Sequence, residues 1–233
     1  MTDTPGGHYR PELQGLRALA VTLVVLEHAG VPWLPGGFVG VDVFFVLSGY
    51  LITGLLVREH AATGRIAYGA FLARRLRRLG PGLGLMLAVT ALAAAALLAP
   101  AELARRAASL PAAAVWASNL WFAVADRDYF AAQAGADLFL HTWSLGVEEQ
   151  FYLLWPLLVL GVLRGGRGAR AAAVFGTLAA GGWLAALALG AASPVWAFYA
   201  MPVRAWEFAL GALAAVARVP GVHGRAWTAW AGV

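Results

Sequence analysis

The feature that most limits the fold is the recurrence of apolar runs of roughly twenty residues, the length an α-helix needs to cross a hydrocarbon core about 30 Å thick. Inside such a core every backbone polar group has to be satisfied within the chain, so only helices and closed barrels cross it. A barrel would show alternating segments of about ten residues, and the sequence has none. With 61% hydrophobic and 12% charged residues among 233, the chain reads as all-α: a polytopic transmembrane helix bundle of about seven apolar segments plus the start of an eighth. Residues 1–233 read as a single domain.

The first apolar run, Gly15 to Ala29, carries Arg17, Glu27 and His28. Ionisable groups within a span are costly and mark functional sites. Eleven residues at about 100° each return to nearly the same helix face, with a rise of about 16 Å, so Arg17 and His28 share one stripe half a bilayer apart. Two readings fit. The stripe can line a site reaching across the membrane, or Arg17 can snorkel to one interface while His28 caps the other end. The same charges separate this run from an ordinary signal peptide.

The chain has no cysteine, which excludes disulfides, thiolate nucleophiles and zinc–thiolate sites. Its five histidines lack metal-ligand spacing, so no metal is expected. The net charge of +5 reports membrane topology rather than nucleic-acid binding, because cytoplasmic loops collect Lys and Arg.

Met1 to Arg10 reads as a loose tail, and Pro11-Glu12 as the first turn of a helix. A Pro/Gly turn from Val31 to Gly37 leads into a second span, about Phe38 to Val57, with Asp42, Ser48, Gly49, Tyr50, Thr53 and Gly54. Gly49 and Gly54 suit close helix packing, and Ser48 suits either that packing or catalysis. Asp42 requires a partner and lies near the turn that returns from His28. The loop from Arg58 to Arg78 is rich in arginine, which predicts a cytoplasmic loop, a cytoplasmic N-terminus and an outward-facing His28. Within it, Ala70 to Leu79 reads as a short basic segment at the membrane surface, serving either as a topogenic anchor or as an anion site.

A third span is expected from Pro81 to about Leu98. Ala107 to Ala125, with Trp116, Asn119 and Trp121, either crosses or re-enters. A polar link, Asp126 to Phe139, precedes the fifth apolar segment. That segment opens with a dense polar run in which His141, Ser144, Glu148 and Tyr152 fall on one helical face and would line a pocket, with Trp143 beside them. Arg164, Arg167 and Arg170 follow it. A sixth span runs from Ala171 to about Ala191, and a seventh starts near Pro202 with Arg204 and Glu207 spaced for an ion pair. The eighth segment starts near Ala226. A crossing at Ala107 to Ala125 would put Arg164 to Arg170 outside, against the charge rule, and a re-entrant segment would put it inside.

At these residues the chain resembles the acyltransferase-3 family of bacterial membrane acyltransferases. The matching features are Arg17 and His28 with ten residues between them, GGFVGVDVFFVLSGYLITGLL from Gly36 to Leu56, and RRLRRLGP from Arg74 to Pro81. They continue with LHTWSLGVEEQFYLLWP from Leu140 to Pro156 and a weaker RAWEFALGAL from Arg204 to Leu213, in the family's order over essentially the whole chain. Gly82 and Leu83 depart from the bulkier residues of the family pattern. Because the family resembles a bundle of about ten spans, the domain is expected to be incomplete at its C-terminus.

The resemblance implies transfer of an acyl group, usually acetyl, from acyl-CoA on the cytoplasmic side to a hydroxyl of a surface polysaccharide, lipopolysaccharide or other acceptor on the outer side. It implies a multi-pass protein of the bacterial inner membrane with no tightly bound cofactor, acetyl-CoA being a substrate. His28 is then the candidate general base, Asp42 or Glu148 the group that orients it, and Arg17 a stabiliser of negative charge or a donor contact. Arg74, Arg75 and Arg78 are candidates for the CoA phosphates. Ser48, Tyr50, His141, Trp143, Ser144 and Tyr152 are candidate pocket residues, with Ser48 the lesser candidate for a covalent acyl carrier. Charges within spans also suit a transporter or flippase, and the end at Val233 suits a non-catalytic remnant.

Overall fold

A computed structural model describes residues 10–34, 36–130, 137–165 and 168–217. The expected tail at Met1 to Tyr9, Arg167 and the eighth segment near Ala226 lie outside the described residues. All regular structure among the described residues is helical. α1 (Pro11–His28) starts on Pro11 with Glu12 in its first turn, where a missing N–H is no loss and a carboxylate meets the positive dipole end. α2 (Val39–Thr63) ends on Gly64, at φ 72°, whose N–H reaches the His60 carbonyl, a left-handed cap that glycine takes without steric cost.

α3 (Tyr68–Leu97) is one helix of 30 residues with Pro81 inside it, not a surface segment followed by a separate span. Proline removes one helical hydrogen bond; in an apolar medium breaking the helix would strand more backbone groups than that, so the helix continues. The stretch expected to cross or re-enter, Ala107 to Ala125, holds α5 (Leu110–Ala114) and α6 (Ser118–Val124) and follows α4 (Pro100–Arg106), each far too short to span a bilayer. α7 (Trp143–Arg164), α8 (Ala169–Ala192), α9 (Pro194–Tyr199) and α10 (Met201–Ala217) complete the bundle.

Among the described residues, five helical stretches are long and apolar enough to cross a membrane: α2, α3, α7 with the preceding turn, α8, and α9 with α10. That is fewer than the seven expected. The broken α5–α6 region drops out, and the 18 residues of α1 carry Glu12, Arg17 and Glu27, too much charge for an apolar span.

Lipid is as apolar as leucine, so close packing rather than exclusion of water has to hold such helices together. α2 and α10 meet at two glycines. A Cβ on Gly49 would lie 2.1 Å from the Phe208 carbonyl oxygen, and one on Gly211 would lie 2.0 Å from that of Val46. Gly49 thus serves the close approach expected of it, whereas a Cβ on Gly54 would meet only the flexible Arg58 side chain, at 3.3 Å. Around the crossing, Phe151 stacks on Phe208 and Trp155 on Phe175, with centroids 4.0 and 5.6 Å apart.

Cross-contacts fix the helix directions. Trp143, Glu148 and Trp155 of α7 meet Phe45, Ser48 and Thr53 of α2, so these helices run parallel. Arg204 near the start of α10 meets Asp42 near the start of α2, and α1 packs antiparallel to α2 through Gly37 and Gly40 against Leu23 and Ala20. The Arg164 end of α7 therefore lies at the same end of the bundle as Arg58. This placement removes the conflict that a crossing at Ala107 to Ala125 would have raised.

Candidate active site

Four helices enclose a cavity of about 330 Å³ beside Arg17 of α1. Its polar wall comes from α2 and α7: the Ser48 hydroxyl donates to Glu148 Oε1 at 2.5 Å, and the Tyr152 hydroxyl donates to the same oxygen. One helical turn separates Glu148 from Tyr152, so both face α2. The rest of the polar lining is cationic, with Arg17, Arg58, Arg75 and Arg78. Arg75 lies over the rings of Phe71 and Tyr152, 5.4 and 5.0 Å from their centroids, which orients its guanidinium without consuming its hydrogen-bond donors. A smaller cavity of about 260 Å³ adjoins it, shares Arg17 and Arg58, and adds Arg10 and Tyr50. Tyr50 accepts a 2.5 Å hydrogen bond from Arg10 and belongs to this second cavity, because two residues along a helix turn a side chain by about 200°.

Three of the expected pocket residues lie elsewhere. His141 is exposed on a short 3-10 turn, Leu140–Thr142, ahead of α7, so helical spacing does not govern it. Ser144, one residue into α7, reaches back to the His141 carbonyl at 3.5 Å. Trp143 is 3% exposed and packs with Phe198 and Tyr199.

Nor does Asp42 or Glu148 orient His28. Asp42 pairs with Arg204, whose guanidinium also lies over Phe45, Trp143 and Phe198. Glu207, fully buried, stands 3.2 Å from Arg204 as its spacing led one to expect, but out of line for a hydrogen bond. Glu148 is taken by Ser48 and Tyr152. His28 itself is exposed at the end of α1, and its Nδ1 is 2.8 Å from the Val24 carbonyl. A carbonyl only accepts, so Nδ1 carries the hydrogen and the Nε2 lone pair is free. His141 lies within electrostatic range of His28.

Of the three arginines expected to meet an anion, Arg75 and Arg78 line the cavity and Arg74 is exposed away from it. Arg58 was missed as a site residue. Its signal is the α2 stripe Ser48, Leu51, Leu55, Arg58, all cavity-lining, whose spacing of three and four residues marks one face. The amide pair of buried Asn119 and half-buried Gln150 was missed as well: Gln150 donates to Asn119 at 2.9 Å and Asn119 donates to the Tyr199 carbonyl at 3.0 Å, tying α6 to α7 and α9. Among the described residues no three His, Asp or Glu side chains converge as a metal would require.

No solved structure matches the chain. Among curated relatives, the O-acetyltransferase OatA of Staphylococcus aureus (strain NCTC 8325 / PS 47) is 43% identical over 151 residues, which is 65% of this chain and 25% of that protein. The protein of the same name from strain COL gives the same identity and coverage. The matched stretch thus spans about a quarter of the length of those relatives. The family model described as "Acyltransferase domain" covers residues 10–232, nearly the whole chain and every cavity residue above. The chain belongs to the acyltransferase-3 family.

Proposed function

We propose that this chain is the membrane unit of an O-acyltransferase that takes an acyl group, acetyl by default, from acyl-CoA on the cytoplasmic side and delivers it to a hydroxyl of a carbohydrate or similar acceptor on the outer side of the bacterial inner membrane. The observation that carries this reading is the pairing along α1 of a cavity lined by four guanidiniums at one end with an imidazole at the other whose Nε2 is free to accept a proton. Guanidiniums bind phosphates in a bidentate manner, which suits the phosphates of CoA. The positive-inside rule then puts the adjoining basic ends of α2 and α3, with Arg58 and Arg78, and the Arg164 end of α7 together in the cytoplasm.

In the transfer step His28 Nε2 takes the proton of the acceptor hydroxyl while its oxygen attacks the thioester carbonyl carbon. The C–S bond breaks, the thiolate leaves, and the proton held by His28 neutralises it. Arg17, about 16 Å along the same stripe, holds the donor rather than the reacting atoms.

The test is transfer of label from [14C]acetyl-CoA to a polysaccharide acceptor in membranes holding the wild-type protein or His28→Ala. Removal of a general base lowers the rate by roughly 10²- to 10⁴-fold, with the protein still inserted in the membrane. A His28→Ala protein that inserts and transfers at the wild-type rate would overturn the assignment.

A further inference from the structure

The hydrogen-bond polarity of the cavity goes one step beyond the arginines. Both hydroxyl hydrogens on its polar wall, from Ser48 and Tyr152, are committed to one oxygen of Glu148. What that wall still offers a ligand is acceptors alone: the lone pairs of two hydroxyl oxygens and the second carboxylate oxygen. The cationic lining offers donors alone, because a guanidinium accepts nothing. A ligand that fills the cavity has to be anionic toward Arg58, Arg75 and Arg78 and has to present N–H or O–H groups toward Ser48, Glu148 and Tyr152.

A fully ionised pyrophosphate or phosphodiester group meets only the first condition. An acyl-CoA meets both, since beyond its phosphates the pantetheine arm carries two amide N–H groups and a hydroxyl. The wall is also prearranged: Glu148 and Tyr152 sit one turn apart on a single helix, Tyr152 is 5% exposed, and Arg75 lies across its ring. A ligand therefore meets acceptors already in place, which lowers the ordering cost of binding.

We infer that Ser48, Glu148 and Tyr152 form an acceptor-only subsite that reads the amide N–H groups of the donor's pantetheine arm, making Glu148 a donor-positioning residue and not an orienter of His28. The inference rests on the acyl-CoA reading above. It also accounts for Ser48 without a covalent acyl carrier: its proton is held by a carboxylate, and its role is to present lone pairs.

The test uses the protein in lipid nanodiscs and measures binding by calorimetry, with no need for turnover. The two probes are CoA and an analogue in which both pantetheine amides are replaced by esters, which removes the N–H donors and keeps the phosphates. Wild-type protein should bind the analogue about tenfold more weakly, the size of one good hydrogen bond to a charged acceptor. Glu148→Gln turns an acceptor into an N–H₂ donor and should abolish that discrimination, and Ser48→Ala, a smaller change, should reduce it. In turnover the same variants should raise KM for acetyl-CoA with kcat little altered.

Equal binding of both probes by the wild type overturns the subsite while leaving the acyl-CoA reading intact. Discrimination that survives in both variants does the same. Failure of the wild type to bind CoA overturns the donor reading itself, and the subsite with it.

Discussion

Single residues divide sharply by what surrounds them. Arg204 is held between Asp42 and Glu207 and under three aromatic rings, so Arg204→Ala leaves two carboxylates unpaired within the bundle. Breaking a buried pair costs on the order of 3–5 kcal/mol, and the variant should melt well below the wild type in detergent. The cationic cavity separates neighbours in the same way. Arg78→Ala and Arg58→Ala should each weaken CoA binding by about tenfold through the loss of a charge-assisted contact, whereas Arg74→Ala, exposed outside the cavity, should change it by less than about twofold; titration of CoA onto each variant measures both. The sequence named Arg17, Ser48, Arg75, Arg78, Glu148 and Tyr152 as candidates, by helical spacing or by family resemblance, and all six line one cavity. It could not pair Asp42 with Arg204, because their separation of 162 positions leaves no local periodicity to read.

Helices were legible where residue type alone sets the outcome. Pro11 and the apolar runs mark a start and the lengths by residue type, whereas α2 runs on to its Gly64 cap, past the expected end at Val57. Pro81 misled for the opposite reason: in water a proline flanked by glycines ends a helix, but in lipid the unsatisfied backbone on either side would cost more than the kink. The α2–α10 crossing gives the clearest test at this scale. Gly49→Ala and Gly211→Ala each drive a methyl into a carbonyl at about 2 Å, and the helices have to separate. Each should destabilise the bundle by roughly 1–3 kcal/mol, as overpacking does, while Gly54→Ala, facing only a flexible arginine, should be tolerated. Thermal denaturation of the three purified variants distinguishes them.

For the molecule as a whole, the helix directions assign loops to ends. The chain contains no cysteine, so single cysteines report sidedness cleanly. Arg65→Cys and Ala169→Cys should be labelled by an impermeant maleimide from one face of oriented membranes, and Trp33→Cys and Asp128→Cys from the other. Labelling of Arg65→Cys and Ala169→Cys from opposite faces would show that the 100–125 region crosses. The sequence by itself determined that the chain is a helical membrane protein, because apolar length and local spacing are properties of consecutive residues, and its ordered motifs carried the resemblance to the acyltransferase-3 family. It also placed Arg17 and His28 on one stripe of α1, since helix geometry fixes that relation without any neighbour. Tertiary structure alone decided which charges meet. It gave Asp42 to Arg204, gave Glu148 to Ser48 and Tyr152, and drew Arg58 into the cavity. The Asp42–Arg204 and Ser48–Glu148 contacts join helices far apart in the chain, and only the close approach at Gly49 and Gly211 and the parallel course of α2 and α7 bring them within hydrogen-bond reach.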